Sequence, residues 1–470
     1  MSAYVDGNNL VIPYSNTNPN DTVVIPFPDT NSANYVGANF AGPIETYAPG
    51  IQVSQYITAP SQIALGLANP SAPTALFVQF SDTSQSTLDL TNQNAYAVVN
   101  ASTVPITLND SDNALQSIIS GVGGMTLYAA GANGAAAFAG GENIVTGGTT
   151  GVESWYFDFE GGTNTISAGA GNDTITGSPD TNLMFLGSGN DIVYSEGMDT
   201  IVGDTGADTI NAVGQALAFN NSASMVFINT NIGSLVGSST IIGGSGALSV
   251  FGGSGEVTVF GGSANNEFML GGTGNVDALI GGTGSASIFG AGQYNYLASG
   301  TTGADTIVSA PSGTSYMFGN PTATDNVFGG QPNAVNATDI VVPVAGVNTI
   351  FGGDGSSDTT DVFTAQSSDL IWGDQGVLFV QQGSGTNTVY DSSKFTLFGF
   401  VNGQAGGNLD IYDFNPLNAA FTLDGYASGT AANAVSSATV SNGSTTFTLS
   451  DNTHVTLEGY TGALTHASFV

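Results

Sequence analysis

Five side chains able to bind a cation recur at a fixed place within residues 161–211, which read GGTNTISAGAGNDTITGSPDTNLMFLGSGNDIVYSEGMDTIVGDTGADTIN. They are Asp173, Asn182, Asp191, Asp199 and Asp208, at steps of nine, nine, eight and nine residues. If two such steps close one coil, Asp173 stands over Asp191, and Asp208 follows one coil later. Neighbouring strands of stacked coils lie about 4.8 Å apart. Two carboxylates at that distance repel by roughly 3–4 kcal/mol at an effective dielectric near 20. The chain has one lysine, Lys394, and no arginine to relieve this. A hard divalent cation, held by carboxylates and turn carbonyls, does so.

The elements that must position these groups are short. Cut at its glycines, the stretch gives units 168–176, 177–185, 186–194, 195–202 and 203–211, four of nine residues and one of eight. Each places one apolar residue near its end: Ile175, Met184, Val193, Ile201 and Ile210. The pattern predicts a tight glycine turn followed by a short strand whose single apolar side chain points inward. The stretch resembles the RTX nonapeptide, GGxGxDxUx, whose repeats form a calcium-binding parallel β-roll. The resemblance implies Ca2+ as cofactor, chiefly on the side of Asp173, Asp191 and Asp208, with Asp199 on the other. It assigns the binding turns to Gly169, Gly171, Gly187 and Gly189. In the looser repeats further on, it makes Asp305, in a second GADTI, and Asp354 additional candidates.

A second array covers residues 243–290, with units beginning GGSGALSVF, GGSGEVTVF, GGSANNEFML, GGTGNVDALI and GGTGSASIF. Counted from the glycines, the inward residues are Val250, Val259, Phe268 and Ile288. The calcium position then reads Leu248, Val257, Asn266, Val276 and Ala286. The expectation is the same coil without metal.

The fold expected is all-β: a parallel β-roll or β-solenoid of degenerate nonapeptides over residues 123–390, between a β-rich N-terminal domain (1–122) and a β-rich C-terminal module (391–470). Ten of the sixteen prolines precede residue 106, and short apolar runs alternate with polar clusters there, as in a small β domain. DNALQSIIS (112–120) reads as a short helix with Asp112 as N-cap, placed to close the end of the solenoid. ESWYFDFE (153–160) is the most aromatic stretch, and core packing is its expected role. The C-terminal layout resembles that of type I secretion substrates, whose uncleaved signal follows RTX repeats. The N-terminus, MSAYVDGNNL, has neither the basic nor the apolar region of an ordinary secretion signal.

Composition narrows the function. With 36 acidic residues, a net charge of −35 and no cysteine, the chain is not expected to bind nucleic acid or an anionic membrane, and it has no disulfide framework. No segment reads as a membrane span. Hydrophobic residues make up 41%, which argues for an ordered chain. No HExxH or G-x-S-x-G motif occurs, and the only histidines are His454 and His466. An enzyme is therefore not expected; the remaining catalytic alternative is a glycosidase built on carboxylates such as Asp158 and Glu160. The chain reads as a secreted, calcium-dependent structural protein that assembles with itself as an S-layer, filament or biofilm-matrix scaffold. The alternative is an adhesin or carbohydrate-binding exoprotein, with cell-surface polysaccharide as its partner.

Overall fold

Strands of three to eight residues, joined by turns many of which carry glycine or asparagine, build almost all of the described residues. A computed structural model describes residues 103–470 except 110–114, 130–132, 152–153, 222, 230–237, 323–325, 332, 374 and 392. Before residue 103 it describes strand segments alone. The fold is an all-β parallel solenoid: successive strands alternate between two sheets, and each pairs in parallel with the strand two further on. Thr174–Thr176 pairs with Ile192–Ser195 and that with Ala207–Ala212, while Asn164–Ser167 pairs with Asn182–Ser188 and that with Met198–Thr205.

The chain divides into two compact units, residues 1–225 and 226–470. In the first, Tyr4–Asp6, Asn9–Pro13 and Thr22–Pro26 form an antiparallel sheet. Parallel pairing of the solenoid kind is present before residue 123, where Ala75–Phe80 lies beside Ala95–Asn100. The helix expected over 112–120 is not formed in the part that is described: Leu115–Ser120 is a strand, parallel to both Ala95–Asn100 and Asn133–Phe138. Two β-branched residues, Ile118 and Ile119, suit a strand, and two parallel neighbours satisfy its backbone. Asp112 lies outside the described residues.

Alternation along each strand sends one side chain to the core and the next to solvent. The inward residues expected from the spacing, Ile175, Met184, Val193, Ile201 and Ile210, are all fully buried. Trp155, Phe157 and Phe159 are buried too, with Phe159 stacked on Phe138 at 4.6 Å, whereas Tyr156 faces out. The aromatic stretch is core. Ile175→Val should cost about 0.5–1.5 kcal/mol, read as a lower urea midpoint at unchanged slope.

In the second unit the same ladders run on past residue 391, linking Thr386–Tyr390 to Asn408–Tyr412 and that to His454–Glu458. An antiparallel hairpin, Ser444–Thr448 with His454–Glu458, carries the SDN turn, and a helix, Thr430–Ser437, precedes it. Near the C-terminus Phe469 packs on Phe421 and Phe447. Among the described residues no helix is long and apolar enough to cross a membrane.

Candidate metal centre

The seventeen- and eighteen-residue steps stack the aspartates. Thr174, Ile192 and Thr209 are ladder partners, so the residues just before them, Asp173, Asp191 and Asp208, stand in one row. All three are at most 2% exposed. Each reaches back one coil with one carboxylate oxygen. Asp173 Oδ1 accepts from the Trp155 N–H at 2.7 Å, Asp191 Oδ1 from the Asp173 N–H at 2.8 Å, and Asp208 Oδ1 from the Asp191 N–H at 3.3 Å. The row therefore doubles as a side-chain rung that ties each turn to the next.

What the rung leaves over is the second oxygen of the central carboxylate. Asp191 Oδ2 is buried and has no hydrogen-bond partner. Burial, with Asp173 and Asp208 on either side, pushes the Asp191 carboxyl up to about 7, because a desolvated charge beside like charges favours its neutral form. An orphaned, buried carboxylate oxygen flanked by two more carboxylates suits a hard cation. The turns beside it offer only oxygen ligands: Gly169, Gly187 and Gly189 have positive φ of 101°, 81° and 153°, and Gly169 and Gly171 present carbonyls to the glycines of the next coil. Among the described residues no three acidic or histidine side chains converge as a ready-made cage. An ion here would be held by one or two carboxylates, Asp191 foremost, and by backbone carbonyls, an oxygen set that fits Ca2+ and not zinc.

The opposite row is chemically different. Asn143, Asn164, Asn182 and Asp199 form a continuous chain of amides, each Nδ2 donating at 2.7 Å to the Oδ1 of the next residue. It ends on Asp199, whose Oδ2 accepts from Ser195 Oγ at 2.7 Å. Protein donors already satisfy both oxygens of Asp199. This ladder satisfies its own side of the coil with protein donors alone.

Asp305 occupies the corresponding row of the second unit, with its oxygens accepting from the Ala286 and Gly300 N–H groups at 2.6 Å each. Asp354 stands apart at the rim of a surface notch lined by Val308, Val327, Gly329 and Phe351, and its Oδ1 accepts from the Asn333 N–H.

One expectation for the second array is corrected. The ladder partners Ser249–Phe268 and Thr258–Ala278 put Glu267 in the row of Asp305 and Asp277 in the equivalent row of the other sheet, not Asn266 and Val276. The inward residue is Met269, fully buried, and not Phe268. Glu267 and Asp277 are themselves at most 1% exposed, and Glu267 Oε2 has no partner. Burial raises the carboxyl of each, that of Asp277 to about 6. The units GGSANNEFML and GGTGNVDALI each carry an extra residue. The turn absorbs it, so counting back from the apolar end would have found the acids. The array is not devoid of row carboxylates.

Asp158 and Glu160 adjoin on the rim of the aromatic strand, where burial, with Glu160 and Glu196 nearby, pushes the Asp158 carboxyl up to about 6.

Residues 160–193 and 194–212 match the family model for the RTX calcium-binding nonapeptide repeat, in four copies. No curated protein and no solved structure matches the chain. The matched residues coincide with the stacked Asp173, Asp191 and Asp208 and their glycine turns. RTX nonapeptides are calcium-binding motifs, and the proteins that carry them are typically secreted. Residues 160–212 are RTX-type calcium-binding repeats, and Ca2+ is the ion that such repeats bind.

Proposed function

We propose that this protein is an extracellular structural component: a calcium-stiffened β-solenoid that leaves the cell by a type I system and assembles with copies of itself as an S-layer, filament or biofilm scaffold. The observation that carries the reading is the buried carboxylate row with its orphaned Asp191 Oδ2. In a calcium-poor cytosol that row opposes closure of the coil. Outside, the ion binds and folding follows, because metal binding and folding are one equilibrium. The described chain is devoted almost wholly to coils and turns, the economy of a scaffold. Negative-stain microscopy of the purified protein in millimolar-range calcium tests the proposal. Sheets or filaments that vanish on chelation are expected; dispersed single particles at every concentration would refute assembly. The carbohydrate-binding alternative has the notch beside Phe351 and Asp354 in its favour, and dispersed particles that bind a glycan array would select it.

A further inference from the structure

One face of the second unit is set apart by charge. From Ala247–Phe251 to Thr386–Tyr390, eight successive strands of one sheet are joined in parallel. Their outward side chains form two rows. The first runs from Phe251 through Phe289, Phe351 and Trp372 to Tyr390 and holds only apolar or aromatic residues and Gly329; the second, from Ser249 to Thr388, holds only serine, threonine and apolar residues. Neither row contains an acid, in a chain with 36 of them and a net charge of −35; Asp354 stands at the edge of the face beside Phe351, and Asp410 pairs with Thr388 on the next strand. The other sheet of the same unit carries Glu256 and Asp361 on its outer side. Phe251, Phe351 and Trp372 are 37%, 45% and 39% exposed, a contiguous apolar stripe of the kind that marks an interaction surface.

We infer that this uncharged face is where a second copy of the chain docks, face to face. The inference rests on the self-assembly reading above and names its contact. Three observations choose the occupant. Charge is the first: two chains of −35 repel wherever acids meet, and the surface of a copy best able to approach this face is the same acid-free face, an isologous contact. Ring geometry is the second. Trp372 and Tyr390 stack at 4.0 Å, and Tyr390 and Tyr412 at 4.8 Å, so these rings use their faces on one another and offer edges outward. Such a row suits interdigitation with another row of the same strand period, as in paired sheets. Area is the third. Eight coils at about 4.8 Å and a width of three residues give a footprint of roughly 400 Å² on each copy. That is below the ~800 Å² per partner of a stable pair, so the contact pairs two copies weakly and reversibly, and its occupancy depends on protein concentration.

The test is sedimentation velocity in millimolar-range calcium over a concentration series. Thr306→Glu/Thr349→Glu/Thr388→Glu places three charges on the face without touching its rings. Gly329→Glu places one at its middle, where an added Cβ meets open space. A control puts the same charges on the exposed turn residues Thr149, Asn275 and Gln366. The wild type and the control should associate alike, and both face variants should need at least tenfold more protein. Face variants that associate like the wild type, with unchanged circular dichroism, overturn the surface while leaving self-assembly intact. A control as impaired as the face variants overturns it too, by showing a general charge effect. A wild type that stays monomeric sinks both readings. If the triple variant misfolds, Gly329→Glu decides.

Discussion

Chelating calcium with EGTA at pH 8 should lower the melting temperature of the protein by about 5–10 °C for each site that had been saturated at a hundredfold excess over its Kd. One such site contributes about 2.7 kcal/mol, and 1 kcal/mol shifts Tm by roughly 2–4 °C in a unit of this size. The effect should depend on pH in a defined direction. Without metal, the Asp191 carboxyl is raised from 3.8 to about 7, by burial first and by Asp173 and Asp208 next. A group raised in the folded state contributes stability that is complete below its unfolded value near 4 and is lost as pH rises through about 7. Acidifying the metal-free protein from pH 8 to pH 5 should therefore restore part of the lost stability, because a proton takes the place of the ion. The calcium-loaded protein should gain little from the same acidification, and binding at pH 7 should release protons. Melting curves at the two pH values check this, comparing calcium-loaded protein with protein stripped by EGTA at pH 8 and exchanged into calcium-free buffer. A difference between loaded and stripped protein of equal size at pH 5 and pH 8 would show that the Asp191 row is not where the ion acts.

Gly189→Ala should cost more than about 4 kcal/mol, beyond the range of ordinary single substitutions. Gly189 has φ 153°, and a Cβ built on it would lie 1.5 Å from the Gly171 carbonyl oxygen. That oxygen belongs to the turn one coil below, so relief requires separating two stacked backbones and breaking the hydrogen bond from the Gly171 N–H to the Ser188 carbonyl, 2.9 Å long. Calcium affinity should fall with stability, since the same turns supply the carbonyls. Gly151→Ala is the comparison: it has φ 70° but nothing within 4 Å of the added Cβ, so only the backbone penalty of about 1 kcal/mol applies. Denaturant unfolding of the two variants separates crowding from conformation. Equal losses would mean that the close approach of stacked turns is not what demands glycine at 189.

Much of the coil was legible in the sequence because its period is local. Two glycine-started units per turn fix which residues stack, and the row of Asp173, Asp191 and Asp208 followed from counting, including the seventeen-residue step forced by the short unit. Burial of Ile175, Met184 and Val193 was equally legible, since a strand of period two has one inward place for the largest apolar residue. The RTX resemblance, and calcium with it, needed no more than that.

Counting failed where chain was inserted. In the second array, glycine spacing put Asn266 and Val276 at the ligand position, but strand pairing holds Glu267 and Asp277 there, one in each sheet, because stacked backbone hydrogen bonds fix register from the strand and let the turn bulge. Residues 112–120 looked helical for a related reason: the Asp112 cap signal is local, whereas the two parallel neighbours that make Leu115–Ser120 a strand are distant in sequence. By itself, then, the sequence determined the coil, its period, its calcium chemistry and its surplus of negative charge. Only the tertiary structure decided which carboxylate oxygen is left without a donor, that the asparagine row satisfies itself, and that eight strands from residue 247 to residue 390 share an acid-free outer face. Those three depend on which groups meet across coils, and coil-to-coil contact is set by backbone ladders whose register the local sequence does not carry.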